Sequence, residues 1–319
     1  MKDFNGRIAV ITGAGTGIGR GLASHLTSMG CHVAICDVIL ENMEETRRIC
    51  EKKAPADTVI TTHECDVADE SQVITFCEAV RDQHQTDHIN LLFNNAGIGG
   101  GASFVTGERA EWERTFGIDW FGVYYCTRAF MPLLIASKEG HIINTSSVNG
   151  FWACLGPAVT HTAYSTAKFA VKGFSESLLV DLRMNAPHVN VSVVMPGHIG
   201  TSIIANTHKI LDANLPAEMT SEELASRREW LEKQEIPTED ISDDDIRSLI
   251  QQHMDDFTNN APLSGEEAAG IILNGVRNKQ WRILVGDDAH RLDLAVRENP
   301  ENAYDSSFLD NFLTKQDKE

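Results

Sequence analysis

Short, nearly continuous apolar runs recur along the chain, with amphipathic stretches between them. A strand covered on both faces is apolar at almost every position, so these runs predict buried strands. The predicted strands are residues 7–12, 32–37, 59–65, 89–94, 141–146, 190–195 and 282–286. The predicted helices between them are roughly residues 17–29, 41–53, 69–84, 111–136 and 162–184.

This alternation of strands and helices predicts an α/β fold. Parallel strands joined by right-handed helical crossovers give a doubly wound Rossmann sheet of about seven strands, with helices on both faces. No internal repeat or low-complexity tract divides the 319 residues, so we expect residues 1–319 to form a single domain. Residues 299–319 follow the last strand as a C-terminal tail.

Residues 202–262 lack any strand pattern and are expected to form a helical insertion before the last strand. Residues 218–256 carry 13 acidic and 4 basic side chains, a local charge of −9. Capping boxes are predicted at Thr220 with Glu223 and at Ser264 with Glu267. The apolar residues of the insertion fall on one helical face, namely Ile246, Leu249, Ile250, Met254 and Phe257. Two interpretations stay open. The insertion could form surface helices with a solvated acidic face, or it could form a lid over the substrate. The two are compatible if the insertion is a lid whose outer face alone is solvated.

The composition of the chain limits its expected binding partners and its expected cellular compartment. A net charge of −19 repels phosphate backbones and anionic lipid, so we expect neither nucleic acid nor a membrane as partner. The seven cysteines form no C-x-x-C pair, which favours a reduced, cytoplasmic protein without a metal site. We also expect neither a signal peptide nor a transmembrane span, because no apolar window approaches 18 residues.

A glycine-rich motif follows the first predicted strand and opens the first helix. It reads Thr12-Gly13-Ala14-Gly15-Thr16-Gly17-Ile18-Gly19. Glycines at this place allow a tight turn and let a pyrophosphate approach backbone N–H groups at the helix N-terminus. The motif therefore predicts a dinucleotide site.

Asp37 ends the second predicted strand, 24 residues after Gly13. A carboxylate there accepts hydrogen bonds from the ribose hydroxyls of adenosine and repels a 2′-phosphate. No cation occupies Thr16 or Val38, and Arg20 is expected to point along the helix. NAD is therefore preferred over NADP, although Asp37 could instead only cap the next helix.

Two further motifs follow, one at a predicted strand end and one on a predicted helix. Asn94-Asn95-Ala96-Gly97 ends the fourth strand and suits the floor of a cofactor site. Tyr164-Ser165-Thr166-Ala167-Lys168 places a tyrosine and a lysine on one helical face, after the serine pair Ser146-Ser147. An i,i+4 pair alone is more often a surface contact, but the small residues around this pair favour a site.

Together these motifs resemble the short-chain dehydrogenase/reductase family in its compact one-domain form. The resemblance covers residues 5–201 and the last strand, and it includes Pro196-Gly197-His198-Ile199-Gly200-Thr201 as the family pattern P-G-x-x-x-T. It implies that Tyr164 is the catalytic acid/base, that Lys168 holds the nicotinamide ribose and lowers the tyrosine pKa, and that Ser147 orients the substrate oxygen. The resemblance also implies a cofactor site, lined by Gly13, Thr16, Gly17, Ile18, Gly19, Asp37, Asp66, Val67, Asn95, Ala96, Gly97, Tyr164, Lys168, Pro196, Gly197, Ile199 and Thr201.

Elementary electrostatics supports the tyrosine–lysine pair. A phenol with a pKa near 10 is a poor base at neutral pH. An ammonium about 4 Å away stabilises the phenolate by roughly 4 kcal/mol at an effective dielectric constant near 20. We therefore expect a lowered pKa for Tyr164, before the cost of desolvation is counted.

The chain departs from the family pattern at two places. Asp119 stands where the family often has an asparagine of a proton relay, so its relay role stays open against that of a structural helix residue. Residues 151–162 lengthen the loop between Ser147 and Tyr164. This loop should border an apolar pocket for a cyclic or aromatic alcohol or ketone, and His161 within it is more simply a surface histidine than a pocket contact.

Three functions fit these residues. The first is an NAD-dependent dehydrogenase or reductase acting on a secondary alcohol or ketone. The second is a catalytically impaired NAD-binding regulator, which only Asp119 supports. The third, an epimerase or dehydratase of the same fold, fits less well, because the glycine-rich motif of those enzymes has a different spacing from the motif in this chain. The resemblance also implies a homodimer or homotetramer through the helices at residues 111–136 and 162–184.

Overall fold

A computed structural model of the chain describes residues 1–101, 103–154, 160–233, 236–305 and 307–308. Nine strands lie within these ranges. They are β1 (Ile8–Thr12), β2 (His32–Asp37), β3 (Ile60–Glu64), β4 (Leu91–Asn94), β5 (Gly140–Thr145), β6 (Val189–Pro196), β7 (Ile199–Gly200), β8 (Leu263–Ser264) and β9 (Arg282–Val285).

Eleven α-helices lie in the same part of the chain. They are α1 (Gly17–Ser28), α2 (Leu40–Lys53), α3 (Glu70–Gln83), α4 (Arg109–Phe116), α5 (Gly122–Ala136), α6 (Thr162–Asn185), α7 (Ile203–Ile210), α8 (Ser221–Lys233), α9 (Asp243–Asn259), α10 (Gly265–Arg277) and α11 (Asp287–Glu298).

Seven of the strands form one parallel sheet in the order β3-β2-β1-β4-β5-β6-β9. This is the predicted doubly wound Rossmann sheet, and each predicted strand lies within two residues of an observed one. The chain order reverses between β1 and β4, which are neighbours in the sheet. A ligand crevice is expected outside the carboxyl ends of the strands at such a switch point.

Alternate residues of the central strands enter two different cores, which explains why the apolar runs are continuous. Ile11 and Phe93 pack on one face with residues of α1 and α10. Val10 and Leu92 pack on the other face with residues of α3, α5 and α6. Full burial of each such side chain contributes about 1.5–3 kcal/mol, so both faces stabilise the sheet.

The predicted single helix at residues 111–136 is wrong in one respect. A π-helical segment, Gly117–Phe121, interrupts it between α4 and α5. Such segments occur mostly as single turns and frequently at functional sites. The segment carries Asp119, and its altered geometry turns that carboxylate into the interior, where it is 0% exposed.

The helical insertion begins and ends at a small parallel pair formed by β7 and β8. Between these strands lie α7, α8 and α9, and no strand lies in residues 202–233 and 236–262, as expected. Both predicted capping boxes form, and a third joins Ser242 to Asp245 at the start of α9. The predicted apolar face is wrong for Leu249, which is 50% exposed, whereas Ile246 is buried.

Among the described helices, none is both long and apolar enough to cross a lipid bilayer. Six cysteines are buried in the cores or against them, and Cys154 is half-buried. Burial raises the pKa of the Cys77 thiol to about 11, so this side chain behaves as a small apolar group.

Helix α10 crosses α1 at a contact that only glycines allow. A Cβ atom on Gly265 would lie 2.5 Å from the carbonyl carbon of Gly17, and one on Gly21 would lie 2.7 Å from the Gly265 oxygen. Both distances are far shorter than van der Waals contact. The packing of α10 therefore supports the glycine-rich motif from behind.

We predict that Gly265→Ala lowers the free energy of unfolding by about 1–3 kcal/mol, because the added methyl overpacks this crossing. Gly270→Ala on the same helix is the matched control, since nothing lies within 4 Å of the position that its methyl group would occupy. The control should be neutral or stabilising by up to about 1 kcal/mol, because alanine favours helix. Urea unfolding measures both, and equal effects of the two changes would contradict the prediction.

Candidate active site

The glycine-rich motif forms a tight turn between β1 and α1. Gly13 has φ +62° and Gly17 has φ +54°, a backbone region that favours glycine. A Cβ on Gly13 would lie 2.6 Å from Ala96 Cα, so a side chain there has no room. The turn exposes backbone N–H groups of the 12-residue helix α1 to the crevice, which suits a pyrophosphate. These residues fit a dinucleotide.

Thr12, which the sequence analysis did not assign to the site, joins this turn to the motif after β4. Its hydroxyl oxygen accepts hydrogen bonds from the backbone N–H groups of Asn95 and Ala96, both at 3.0 Å. The Asn95 side chain donates to the carbonyl oxygens of Thr12 and Gly13. The two motifs thus form one hydrogen-bonded unit at the switch point.

Asp37 is oriented by the backbone at the end of β2. Its Oδ2 atom accepts from the Gly15 N–H at 2.8 Å, and its Oδ1 atom accepts from the Ile39 N–H at 2.9 Å. Each carboxylate oxygen has a second lone pair, so ribose hydroxyls can still donate to it. The carboxylate lines the crevice beside the glycine-rich turn, as a ribose ligand must.

Arg20 does not point along the helix, so that expectation is wrong. Its guanidinium turns back and donates to the carbonyl oxygens of Gly15 and Asn42, while its Nε–H donates to Thr46. These bonds engage the Nε and Nη2 groups of Arg20, so those groups are not free to bind a 2′-phosphate. Arg20 therefore acts as a brace for the glycine-rich turn.

Asp66 and Val67 line the crevice at the far side of Asp37. The Asp66 carboxylate is already engaged, because Oδ2 pairs with the Arg114 guanidinium at 2.7 Å and Oδ1 accepts from the Ala68 N–H. Arg114, from α4, was missed by the sequence analysis because it belongs to no motif. Its long side chain joins α4 to the loop after β3.

Tyr164, Lys168 and Ser147 converge at the carboxyl end of β5. The Lys168 ammonium lies 5.2 Å from the centre of the Tyr164 ring and 3.4 Å from the Thr145 carbonyl oxygen. The Ser147 hydroxyl interacts with Tyr164 in the direction that lowers the tyrosine pKa. Its Oγ atom also accepts a hydrogen bond from the Asn149 N–H at 3.1 Å. The Ser146 hydroxyl instead donates to the Lys168 carbonyl oxygen at 2.8 Å, so it is committed to the backbone of α6.

The Lys168 ammonium lowers the pKa of Tyr164 as expected, but the cost of desolvation, which that expectation left out, is larger. Desolvation raises this pKa above its ordinary value, the Lys168 ammonium lowers it, and the Asp119 carboxylate raises it further. Desolvation is the largest of these effects, so it sets the net direction of the shift. A positively charged ring bound beside the phenol would act in the lowering direction.

Asp119 lies directly behind Lys168. Its Oδ1 atom is 3.8 Å from the Lys168 Nζ and accepts from the Ile98 N–H at 2.9 Å, while Oδ2 has no hydrogen-bond partner among the described residues. Burial raises the Asp119 pKa to about 6, and the nearby ammonium opposes this. A Cβ on Gly97 would lie 2.7 Å from Oδ1 and 3.1 Å from Nζ, so glycine is needed there.

One cleft of about 610 Å³ joins these groups along the carboxyl ends of the strands. It is lined by all the predicted cofactor residues except Gly19, and by Ser147, Tyr164 and Lys168. Gly19 packs instead against the turn, since a Cβ there would lie 2.3 Å from the Gly13 oxygen. Asp119 is not part of the lining and reaches the cleft only through Lys168.

The cleft has walls that the sequence analysis missed. They come from the insertion and from the start of α11, and they are formed by Ile203, Ile204, Asn206, Ile210, His253, Phe257, Asp288 and Leu292. Asp288 accepts from the His198 N–H at 2.7 Å and so anchors the turn after β6. In the sequence, the acidic residues just after the last strand, which form the first turn of α11, could have indicated that this segment contributes to the cleft.

His161 is a pocket residue, so the surface interpretation is wrong. It lines the cleft, and its ring lies 6.0 Å from that of Tyr164 in an edge-on arrangement. Burial lowers the His161 pKa, and its Nδ1 atom has no hydrogen-bond partner among the described residues. The His161 ring thus lies beside Tyr164 in the cleft. Residues 155–159 of the predicted pocket loop lie outside the described part of the chain.

The chain belongs to the short-chain dehydrogenase/reductase family and is an oxidoreductase of that family. The family model for short chain dehydrogenases matches residues 7–211. The chain is 33% identical over 297 residues to a protein described as an oxidoreductase, SadH, from Mycobacterium tuberculosis, covering 93% of this chain and 92% of that protein.

Solved structures agree with this assignment. A short-chain dehydrogenase/reductase from Burkholderia phymatum, crystallised with NAD, is 27% identical, covers 95% of both chains and superposes with a TM-score of 0.72. A metagenomic short-chain oxidoreductase, crystallised with NADP, is 33% identical and superposes with a TM-score of 0.53 over 61% of this chain and 83% of that one. Members of the family with this fold therefore bind NAD or NADP.

We predict that Asp119→Asn changes how stability depends on pH. The Asp119 pKa of about 6 lies above its ordinary value of 3.8, so between pH 4 and 6 the folded chain holds a proton that the unfolded chain has lost. The free energy that this carboxyl contributes to folding is therefore present below pH 4 and is lost as the pH rises through 6. Relative to wild type, the free energy of unfolding of the variant should rise by about 2–3 kcal/mol across this window.

Urea unfolding at pH 4, 5, 6 and 7 measures this difference. Asp240→Asn, which removes an exposed carboxylate, is the control and should leave the pH dependence unchanged. A difference between Asp119→Asn and wild type that stays constant with pH would refute the assignment of a raised pKa.

Proposed function

We propose that the chain is an NAD-dependent dehydrogenase or reductase that interconverts a secondary alcohol and a ketone, with Tyr164 as the acid/base. The observation that carries this proposal is the convergence of Tyr164, Lys168 and Ser147 on the cleft that the glycine-rich turn enters. The nicotinamide ring of the cofactor would supply or accept the hydride.

The protein's own groups handle the proton. During alcohol oxidation, the ionised Tyr164 hydroxyl takes the proton of the substrate hydroxyl. The Lys168 ammonium, 5.2 Å from the ring centre, stabilises the phenolate, and Ser147 donates a hydrogen bond to the substrate oxygen. During ketone reduction the tyrosine returns the proton. His161 packs against the tyrosine and limits the water that reaches it.

Two features support NAD over NADP. Asp37 is held by two backbone N–H groups with its carboxylate at the crevice, where it would repel a 2′-phosphate. The Arg20 guanidinium, which contacts the glycine-rich turn, donates from Nη2 to the Gly15 and Asn42 carbonyl oxygens and from Nε to Thr46. Asp37 would then bind the adenosine ribose.

The helical insertion acts as a lid in this proposal. Helix α7 crosses the crevice, where Asn206 donates to the Thr16 hydroxyl at 3.0 Å and Thr207 accepts from the Gly99 N–H at 2.8 Å. Its Ile203 and Ile204 face the cleft, which suits an apolar substrate. The acidic outer side of α8 and α9 is solvated.

We further propose a homodimer or homotetramer in a reducing, cytoplasmic setting. Helices α5 and α6 leave apolar side chains exposed, including Tyr124, Phe169, Val180 and Met184 at 36%, 41%, 57% and 79%. Exposed apolar side chains gathered on two such helices favour an interaction site, because large apolar surfaces are uncommon on monomers. Six buried thiols in the described structure fit a reducing compartment.

Tyr164→Phe tests the proposed function. The change removes the hydroxyl and keeps the ring, so alcohol oxidation should fall at least about 100-fold, while binding of NADH should be unchanged within about twofold. The rise of NADH absorbance with a panel of secondary alcohols gives the rate, and NADH fluorescence gives the Kd. Tight NADH binding by a wild type that turns over nothing would favour the regulator.

The serine pair provides an internal control. Ser147→Ala removes the hydroxyl in contact with Tyr164 and should lower kcat by about 10²-fold. Ser146→Ala removes a bond to the Lys168 carbonyl oxygen and should lower the free energy of unfolding by about 1 kcal/mol with a far smaller loss of rate. The opposite order of the two rate losses would argue against Ser147.

Asp37→Ser tests the cofactor preference. Loss of the carboxylate removes its charge-assisted hydrogen bonds to the ribose, which weakens NAD binding, and it removes the repulsion of a 2′-phosphate, which favours NADP. The ratio of kcat/KM for NAD over NADP should therefore fall by about 10-fold or more. Asp66→Asn is the control, because Asp66 lies beside Val67 and pairs with Arg114, away from the ribose. It should weaken both cofactors alike.

Sedimentation velocity tests the assembly. Wild type should sediment as a dimer or tetramer, and Phe169→Glu should shift it toward the monomer, because a charge on the exposed apolar face of α6 disfavours its burial. Leu294→Glu, at a residue 58% exposed on α11, is the control and should leave the mass unchanged. A monomeric wild type at micromolar concentration would refute the proposed assembly.

A further inference from the structure

The chain beyond α11 folds back onto the loop that follows Ser147. The indole Nε1–H of Trp152 donates to the Ala303 carbonyl oxygen at 2.7 Å. The backbone N–H of Ala153 donates to the Tyr304 hydroxyl at 3.1 Å. We call residues 299–305 with 307–308 the C-terminal segment. These two bonds join the C-terminal segment to the loop after Ser147, which lies about 150 residues earlier in the sequence.

A separate apolar cluster packs around these two hydrogen bonds. Trp152, Leu292 and Ala303 are 5%, 4% and 1% exposed, and they form a core separate from the two that cover the sheet. The ring of Phe308 lies 5.9 Å from that of Trp152. Partly buried residues pack around the cluster, namely Val148, Phe151, Cys154, Val296 and Phe308. The C-terminal segment is thus packed against the loop by its side chains as well as by hydrogen bonds.

The same side chains also line the cleft. Trp152, Cys154 and Leu292 are lining residues, as are Ser147 and Tyr164. Trp152 follows Ser147 by five residues and lines the same cleft. One face of the indole therefore borders the space next to the reacting groups, while its Nε1–H is tied to the C-terminal segment.

We propose that Trp152, held in place by Ala303 and Tyr304, is the wall that limits substrate size, so that the C-terminal segment determines specificity. This inference rests on the proposed function. An indole is rigid and large, and a wall of Trp152 and Leu292 rejects bulk only if the indole cannot swing outward. The hydrogen bond to Ala303 and the packing of that residue prevent this movement.

Ala303→Glu in the full-length chain tests the inference. A carboxylate cannot stay at a position that is 1% exposed, so the C-terminal segment should detach and free the indole. The ratio of kcat/KM for 2-decalol over cyclohexanol should then rise on the order of 10-fold, as expected for altered apolar pocket contacts. The Kd for NADH should stay unchanged, because the cofactor turn lies elsewhere.

Two milder variants keep the test decisive if Ala303→Glu does not fold. Tyr304→Phe removes the hydroxyl that accepts from Ala153 and should raise the ratio about twofold to threefold, the equivalent of one hydrogen bond. Trp152→Phe shortens the wall itself and should raise it further. Glu301→Ala, an exposed position on the same segment, is the matched control and should leave the ratio unchanged.

Hydrogen exchange of the peptides spanning residues 148–154 and 299–308 shows whether the segment has detached. Faster exchange in Ala303→Glu with an unchanged substrate ratio would overturn the inference, as would unchanged ratios in both Tyr304→Phe and Trp152→Phe. If wild type oxidises neither these two alcohols nor any member of the panel used for Tyr164→Phe, the proposed function fails on its own. The wall is then tested by the Kd values of 2-decalone and cyclohexanone for the NADH-loaded protein, whose ratio should favour the larger ketone in Ala303→Glu.

Discussion

The burial of one ammonium group constrains the whole site. Lys168 is 3% exposed, and an unpaired charge at such a position would cost several kcal/mol. Its partners are the Asp119 carboxylate at 3.8 Å, the Thr145 carbonyl oxygen at 3.4 Å and the face of the Tyr164 ring. Each partner comes from a different element, so the π-helical segment, the end of β5 and α6 must meet at one point.

That meeting point also explains the composition of the loops around it. Gly97 must lack a side chain because a methyl there would collide with both the carboxylate and the ammonium. The Ile98 N–H then donates to Asp119, so the loop after β4 closes over the ion pair. Thr12 binds the other end of the same loop to the glycine-rich turn. The charge pair and the cofactor turn are therefore parts of one hydrogen-bonded structure, and a cofactor bound to the turn is placed beside the tyrosine.

The sequence predicted the sheet well because its physical cause is local and repeated. Strands buried on both faces must be apolar throughout, and the motifs at their carboxyl ends fall at the switch point that the strand order creates. The glycine spacing, Asp37 and the Tyr164–Lys168 pair were predictable for the same reason, since each depends on contacts within a few residues or on a fixed geometry of the fold. The π-helical segment was not predictable, because its hydrogen bonds leave no distinct residue pattern in Gly117–Phe121.

By itself, the sequence determined the fold class, the family and the residues that meet at the strand ends, because these follow from short-range patterns. Only the tertiary structure decided what surrounds those residues. It placed Arg20 as a brace, His161 in the cleft, Asp119 behind the lysine and the C-terminal segment against Trp152. It also decided the net direction of the Tyr164 pKa shift, because burial outweighs the lowering by Lys168. Desolvation depends on every element packed around a group, and contacts between residues far apart in sequence have no local periodicity that could reveal them.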